Sequence, residues 1–361
     1  MRPWVSLLRI TVLSAALALG TAAAAAPPHH LAATESATGG EGSYPYGSHA
    51  FAKFVADSYR ASHSSDVAAF NKWLDETYGH TSRAWLTGQE DLTLAQALAE
   101  RRRALQAVGN AKQRTQLEIA TGAWLHRAVK AMIPHFSLDR GFEFTNTVRL
   151  GERQCLLQSV LIAGLLQAVD IDAGVYMVWK NERGQKSNNG HAVTVIKLSD
   201  GRDILVDASD REPFMRHRGV FVADQEGRSY RFVEPRYDGD SAITAYRTAA
   251  GDRMLPDGSV RPLDVTFLRS QFDYYRGERA PGGFLGRPAT AQGLAASARF
   301  LERAVQASSQ NPLAVYVLGH VYWKQGRIDA AKAQYIKGYR LYKAFGYVPP
   351  GPRSAYNRAN P

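Results

Sequence analysis

The 361-residue chain holds one cysteine, Cys155, so no internal disulfide can form. Composition alone leaves that thiol as either an inert buried group or a reactive one. Its neighbourhood is informative. Cys155 follows Gly151-Glu152-Arg153-Gln154 and opens an apolar run from Leu156 to Ala168. A helix beginning at Cys155 would place the sulfur among unpaired N–H groups at a partially positive end. That setting favours a thiolate, and the same N–H groups can hydrogen-bond the oxyanion formed when sulfur attacks a carbonyl. A nucleophilic cysteine also needs a base and a group to orient that base. His191 heads the strand-like stretch His-Ala-Val-Thr-Val-Ile-Lys-Leu, and Asp207 ends Asp203-Ile-Leu-Val-Asp.

Strand register tests whether His191 and Asp207 can cooperate. A strict two-residue turn at Asp200-Gly201 would set Asp207 against Thr194 and on the face away from His191. A three-residue loop, Ser199-Asp200-Gly201 with Gly201 left-handed, sets Asp207 against Val193 instead. The two side chains then share a face and lie diagonally, within reach. The catalytic reading therefore expects the three-residue loop.

These blocks resemble the transglutaminase-like core of the papain-like cysteine enzymes. The similarity rests on Gly151-x-x-x-Cys155 opening an apolar helix, Gly190-His191-Ala-Val-x-Val on one strand and Asp203-Ile-Leu-Val-Asp207-Ala-Ser on the next, in the order Cys, His, Asp. It spans Ala120 to Phe214. One departure is Val193, where the family often carries an aromatic two positions after its histidine. The resemblance implies an α+β fold in which the cysteine-bearing helix packs on an antiparallel sheet. It also implies a Cys155–His191–Asp207 triad: Cys155 attacks an amide or peptide carbonyl to form a thioester, His191 moves the proton, and Asp207 holds the imidazole. Gln154 and Trp124 are the side-chain candidates for the oxyanion site. Water as acceptor gives a peptidase or amidase, and an amine gives a cross-linking transglutaminase. A third reading, from a different class, is a non-enzymatic scaffold that keeps a degenerate site. No cofactor is expected. One thiol and scattered histidines lack metal-ligand spacing, so His126, His135, His217 and His320 read as ordinary.

The rest of the chain must position these residues. Met1-Arg2, an apolar stretch to Leu19 and the small residues Ala22–Ala26 have the parts of a signal peptide over residues 1–26. The stretch is broken by Arg9 and short for a membrane span. Export to the periplasm or medium is the expectation. Residues 27–50 read as a linker, and residues 51–110 as a helical region in which Phe51, Phe54, Val55 and Tyr59, then Phe70, Trp73, Leu74 and Tyr78, fall at helical spacing. The transglutaminase-like domain is expected over residues 111–290. It should hold a helix over Arg114–Met132, strand-like pieces at Phe142–Leu150, Val175–Trp179, Ala192–Leu198, Ile204–Val206, Phe221–Val222 and Tyr230–Val233, and one helix buried on all sides after Cys155. Residues 236–290 fit no clear pattern, and an ordered connection is expected there.

Over residues 291–346, Leu318-Gly319-x-x-Tyr322, Gly326, Ala331 and Tyr335 match tetratricopeptide-repeat spacing, after a helix at Ala298–Ala307 and a break at Asn311-Pro312. About one and a half repeats are too few to stand alone, so these helices should pack on the main domain and offer a protein-binding surface. Residues 347–361 read as a flexible tail. The net charge of +11 suits anionic neighbours such as an envelope surface. Nucleic acid is not an expected partner, because neither zinc-finger spacing nor a recognition helix is present. The expected substrate is a protein or peptide.

Overall fold

The computed structural model describes residues 42–85, 92–256 and 258–360, so the expected signal peptide and most of the expected linker lie outside the described residues. The N-terminal helices are α1 (His49–Ala61), α2 (Ala68–Trp85), α3 (Leu94–Ala107) and α4 (Ala111–Met132). Side chains that accept from first-turn N–H groups start three of them: Ser48, Thr93 with Gln96 in a capping box, and Asn110. Phe51, Phe54, Val55, Tyr59, Phe70, Leu74 and Tyr78 are all buried, as their spacing requires. Residues 42–50 are not a linker. Tyr44 is fully buried, its N–H donates to Gln167 Oε1 at 2.7 Å, and Tyr46 N–H donates to the Gly164 carbonyl at 2.8 Å.

After α4 the chain forms β1 (His135–Phe136), α5 (Phe144–Leu150) and β2 (Glu152–Arg153), with β1 and β2 parallel. The stretch Phe142–Leu150, expected as a strand, is thus a helix over most of its length. Gly151 at φ +61° closes it, donating its N–H to the Thr147 carbonyl at 3.0 Å. Next comes α6 (Cys155–Gln167), in which every residue from Cys155 to Leu166 is buried. Gly164 lets another ring close on this helix, since a Cβ there would sit 2.8 Å from the Phe51 ring.

The strands β3 (Ala173–Lys180), β4 (Lys186–Lys197), β5 (Asp203–Val206), β6 (Gly219–Asp224), β7 (Tyr230–Tyr237), β8 (Ala242–Thr248), β9 (Met254–Pro256) and β10 (Val260–Arg261) follow. Their order is β10-β6-β3-β4-β5-β8-β7, and β7 also pairs with β6, so six strands close into a barrel. Alternation gives the barrel two apolar faces. Tyr176, Val178, Val193, Val195, Leu205 and Tyr246 fill the lumen, while Met177, Ala192 and Ile196 belong to the outer core that includes α6. Thr194, also facing outward, donates to the Ser159 carbonyl on α6 at 3.1 Å. The architecture is mixed α+β, with the cysteine-bearing helix against an antiparallel closed sheet.

Residues 236–290 include β8 to β10 and then α7 (Val265–Glu278), capped by Asp264. Here α7 is tied to the N-terminal helices by Arg269 Nε–Asp57 Oδ2 at 2.7 Å, and to the α5 N-cap by the buried Arg276, whose Nε and Nη2 lie 2.7 and 2.8 Å from the Glu143 carboxylate. The last helices are α8 (Ala291–Ala307), α9 (Pro312–Lys324), α10 (Ile328–Ala344) and α11 (Pro350–Ala359). The small-residue spacing works as expected: Gly319 lets α9 meet α10, since a Cβ there would stand 2.7 Å from the Tyr335 ring, and Gly326 turns the chain at φ +76°. These helices pack on the barrel through Tyr342 stacked with Phe232 and Tyr347 against Trp179, centroids 6.0 and 4.5 Å apart. The expected tail is mostly α11, held by buried Pro352 and Ala355 and by Tyr356 stacked on Tyr339 at 4.0 Å. Among the described residues, no helix is long and apolar enough to cross a membrane.

Candidate active site

Cys155 is the first residue of α6, and its placement follows from the helix behind it. A helix apolar on nearly every side must be buried, which carries its first residue to the junction with the barrel rim. Gln154 caps the helix by accepting from Leu156 N–H at 3.1 Å. By helix geometry the N–H groups of Cys155 and Leu157 have no partner inside α6. Cys155 is 5 % exposed, and its sulfur lies 4.0 Å from the Gly190 carbonyl oxygen. The Tyr275 hydroxyl of α7 donates to that same carbonyl. Burial first, and the Cys155 charge second, hold the Tyr275 pKa well above 10, so the phenol keeps its proton.

The β4–β5 hairpin has the three-residue loop. Gly201 is left-handed at φ +92°, and Thr194 pairs with Val206, which sets Asp207 beside Val193. His191 and Asp207 therefore share a face, the lumen side of the rim, and His191 Nε2 lies 2.8 Å from Asp207 Oδ2. Ser209 N–H donates to Oδ1 of the same carboxylate at 2.9 Å. Since a carboxylate only accepts, Nε2 carries the proton and Nδ1 is the nitrogen left for the thiol. Burial works against a charged His191, but the hydrogen bonds and charges of Asp207 and Cys155 outweigh it and hold its pKa well above the ordinary 6.5. Burial likewise pushes the Asp207 carboxyl up, and His191 and His217 more than reverse this, leaving it far below the usual carboxylate range.

His217, read from the sequence as ordinary, belongs to this cluster. Its Nε2 lies 2.8 Å from Asp207 Oδ2, so two imidazoles donate to one oxygen. Tyr237 steadies its backbone by donating to the His217 carbonyl at 2.7 Å. The only hint of it in the sequence lies in Asp207 itself, since a buried carboxylate needs several donors. The loop carrying His217 has no periodicity that would point to it.

No family model, curated protein or solved structure matches this chain. The site must therefore be read on its own geometry. A cleft of about 470 Å³ opens at the rim, with Val178, Glu182, Lys186, His191, Asp207 and His217 in its wall. Cys155 is not part of that wall; its thiol meets the Gly190 carbonyl, which the Tyr275 hydroxyl also reaches. Of the two side-chain oxyanion candidates, Gln154 adjoins the sulfur. Trp124 is engaged elsewhere, edge-on to Tyr78 and beneath the Arg101 guanidinium, and takes part in none of the hydrogen bonds of the site. Of the other histidines, His126 on α4 touches the loop after Asp207, its Nε2 lying 3.3 Å from the Asp210 carbonyl.

Proposed function

We propose that this chain is an exported cysteine enzyme of transglutaminase-like, papain-like type, acting on protein or peptide substrates as a peptidase or amidase. The observation that carries the reading is that the sulfur at the head of α6 lies 4.0 Å from the Gly190 carbonyl, next in the chain to His191, whose Nε2 lies 2.8 Å from Asp207 Oδ2. Cys155 Sγ, deprotonated by His191 Nδ1, adds to the carbonyl carbon. The oxyanion is stabilised by the first N–H groups of α6 with Gln154 beside them. The tetrahedral intermediate expels the amine, which takes its proton from His191, and a thioester on Cys155 remains. Water, deprotonated by the same nitrogen, then releases the acid and restores the thiol. Asp207 keeps the Nε2–H tautomer throughout. An amine in place of water gives transamidation; hydrolysis is the stated reading because excluding water takes a specialised pocket. The C-terminal helices, similar in spacing to tetratricopeptide repeats, would supply a protein-binding surface, and the basic surface would favour an anionic envelope.

Alkylation of Cys155 by iodoacetamide, followed by mass spectrometry across pH, tests the reading. Fast, pH-dependent labelling that slows about 100-fold in His191→Ala is the expected outcome. Slow labelling indifferent to that change would sink it. One observation favours the scaffold reading, namely the low exposure of Cys155 and its absence from the cleft wall. In that case the basic surface and the C-terminal helices bind a partner and the thiol stays inert. Incorporation of a labelled amine into a glutamine-containing protein would move the assignment to a cross-linking transglutaminase.

A further inference from the structure

We infer that His191, Asp207 and His217 together form a binding site for a divalent transition ion of the zinc class, and that the ion withdraws the imidazole from Cys155. One ligand atom from each of the three residues lies within 4.8 Å of the other two, and each Nε2 is 2.8 Å from the shared Oδ2. The imidazole centroids are 5.5 Å apart with the rings tilted by 68°, so the ring edges converge on the carboxylate rather than stacking. At zinc bond lengths near 2.0–2.2 Å, tetrahedral ligand atoms stand roughly 3.3 Å apart. Each nitrogen would move about half an ångström from the oxygen it now touches, and the two nitrogens, now within 4.8 Å of each other, would take the same spacing. Two imidazoles and one carboxylate suit zinc, cobalt or nickel, and not calcium or magnesium, which take oxygen donors.

A second observation points the same way. His217 is buried, and its Nδ1 has no hydrogen-bond partner among the described residues. The nearest charged group is Glu182, with Oε2 at 3.8 Å. With Nε2 turned to Asp207, it is the unpartnered Nδ1 that faces the Glu182 carboxylate. An ion on Nε2 moves the proton to Nδ1, where it points at Glu182. That is the carboxylate–histidine–metal arrangement that orients metal-bound imidazoles. The cleft walled by all three ligands leaves a coordination position for water or a substrate group. On His191 the same shift places a proton on Nδ1, the nitrogen that must accept the thiol proton. Bound metal therefore silences the thiol chemistry, a consequence that rests on the proposed function. Ion binding itself does not.

The test is a titration of the full chain with Co²⁺, read by its visible d–d absorption, with Zn²⁺ as competitor. One equivalent should bind, and Zn²⁺ should displace it. His217→Gln should lose at least about 100-fold in affinity. Glu182→Gln, at the half-buried cleft edge where folding is not at stake, should lose about 10-fold. Cys155→Ser should bind as the parent does. Absence of the band in the parent chain, or a band that survives His217→Gln unchanged or vanishes in Cys155→Ser, overturns the site. Zn²⁺ should slow Cys155 alkylation at least 10-fold, and an unchanged rate with Zn²⁺ bound overturns the silencing. Alkylation that is slow without metal and indifferent to His191→Ala would instead count against the enzyme reading, leaving the Co²⁺ result as it stands.

Discussion

Asp203 opens β5 and Asp207 follows its last residue, four positions on and of the same parity, and both are almost wholly removed from water, at 0 % and 3 % exposure. Asp203 lies inside the barrel, with Lys197 Nζ at 2.7 Å from Oδ2 and the Tyr246 hydroxyl donating to the same oxygen. Burial first, with Tyr176 and Asp203 adding to it, holds the Tyr246 pKa well above 10, so this donor keeps its proton. Asp207 stands at the rim and gives one oxygen to two imidazoles. Alternation along the strand places both carboxylates; the partners decide what each can do. An ammonium and a phenol make a fixed clamp. Imidazoles make a cluster whose ring nitrogens can either donate or accept a proton.

Breaking the clamp should give the largest effect. Asp203→Asn leaves the Lys197 ammonium without its buried counter-charge, and losing one member of such a pair costs about 3–5 kcal/mol. Urea unfolding followed by circular dichroism should show that loss, while Cys155 alkylation under native conditions stays at the parent rate. Asp207→Asn should reverse the pattern. It removes the group that fixes the His191 tautomer, so alkylation should fall about 100-fold, equivalent to about 2.7 kcal/mol. Its stability cost should be the smaller of the two, because the His191 side chain at the rim is 30 % exposed. If both variants lose stability alike and alkylation follows neither, the contrast between clamp and proton-transfer cluster fails.

A smaller effect should appear in the pH dependence of stability. Asp207 has a depressed pKa, so its contribution is present above the ordinary carboxyl value near 4 and is lost as pH falls through the lowered one. His191 has a raised pKa, so its contribution is complete below about 6.5 and is lost as pH rises through the raised one. The pair therefore adds most between about pH 4 and 6.5. Urea midpoints measured across pH should show that window in the parent chain and a flatter profile in Asp207→Asn. An unchanged profile would mean that the carboxylate does not set the charge of the imidazole.

The sequence made much of this legible because the signals were local. The apolar run after Cys155 read as a buried helix, and Ser199-Asp200-Gly201 offered two loops of opposite parity, of which the structure has the three-residue one that the catalytic reading required. Non-local features escaped. His217 reaches Asp207 from an irregular loop where no spacing rule applies. Closure of the sheet depends on β7 meeting β6 across the barrel, which no strand announces by itself. Over Phe142–Leu150 the alternation of Phe142, Phe144, Val148 and Leu150 imitated a strand; the contrary signal was Gly151, a helix-closing residue once its positive φ is seen. Trp124 was a reasonable candidate by chain position, yet its ring is committed to Tyr78 and Arg101.

The smallest expected effect sharpens the contrast at the sulfur itself. Tyr275 belongs to α7, the stretch that fitted no pattern, and its hydroxyl shares the Gly190 carbonyl with the thiol. Tyr275→Phe removes that donor and keeps the ring, so the stacking on Phe142, with centroids 5.7 Å apart, should persist. The stability cost should be about 1 kcal/mol, that of one hydrogen bond. Freed of its competitor, the carbonyl remains an acceptor for the thiol, and the surroundings of the sulfur lose one hydroxyl. Alkylation should therefore quicken modestly while its dependence on His191 persists. If it slows instead, the phenol assists the sulfur rather than shielding it, and α7 belongs to the chemistry as much as the barrel rim does.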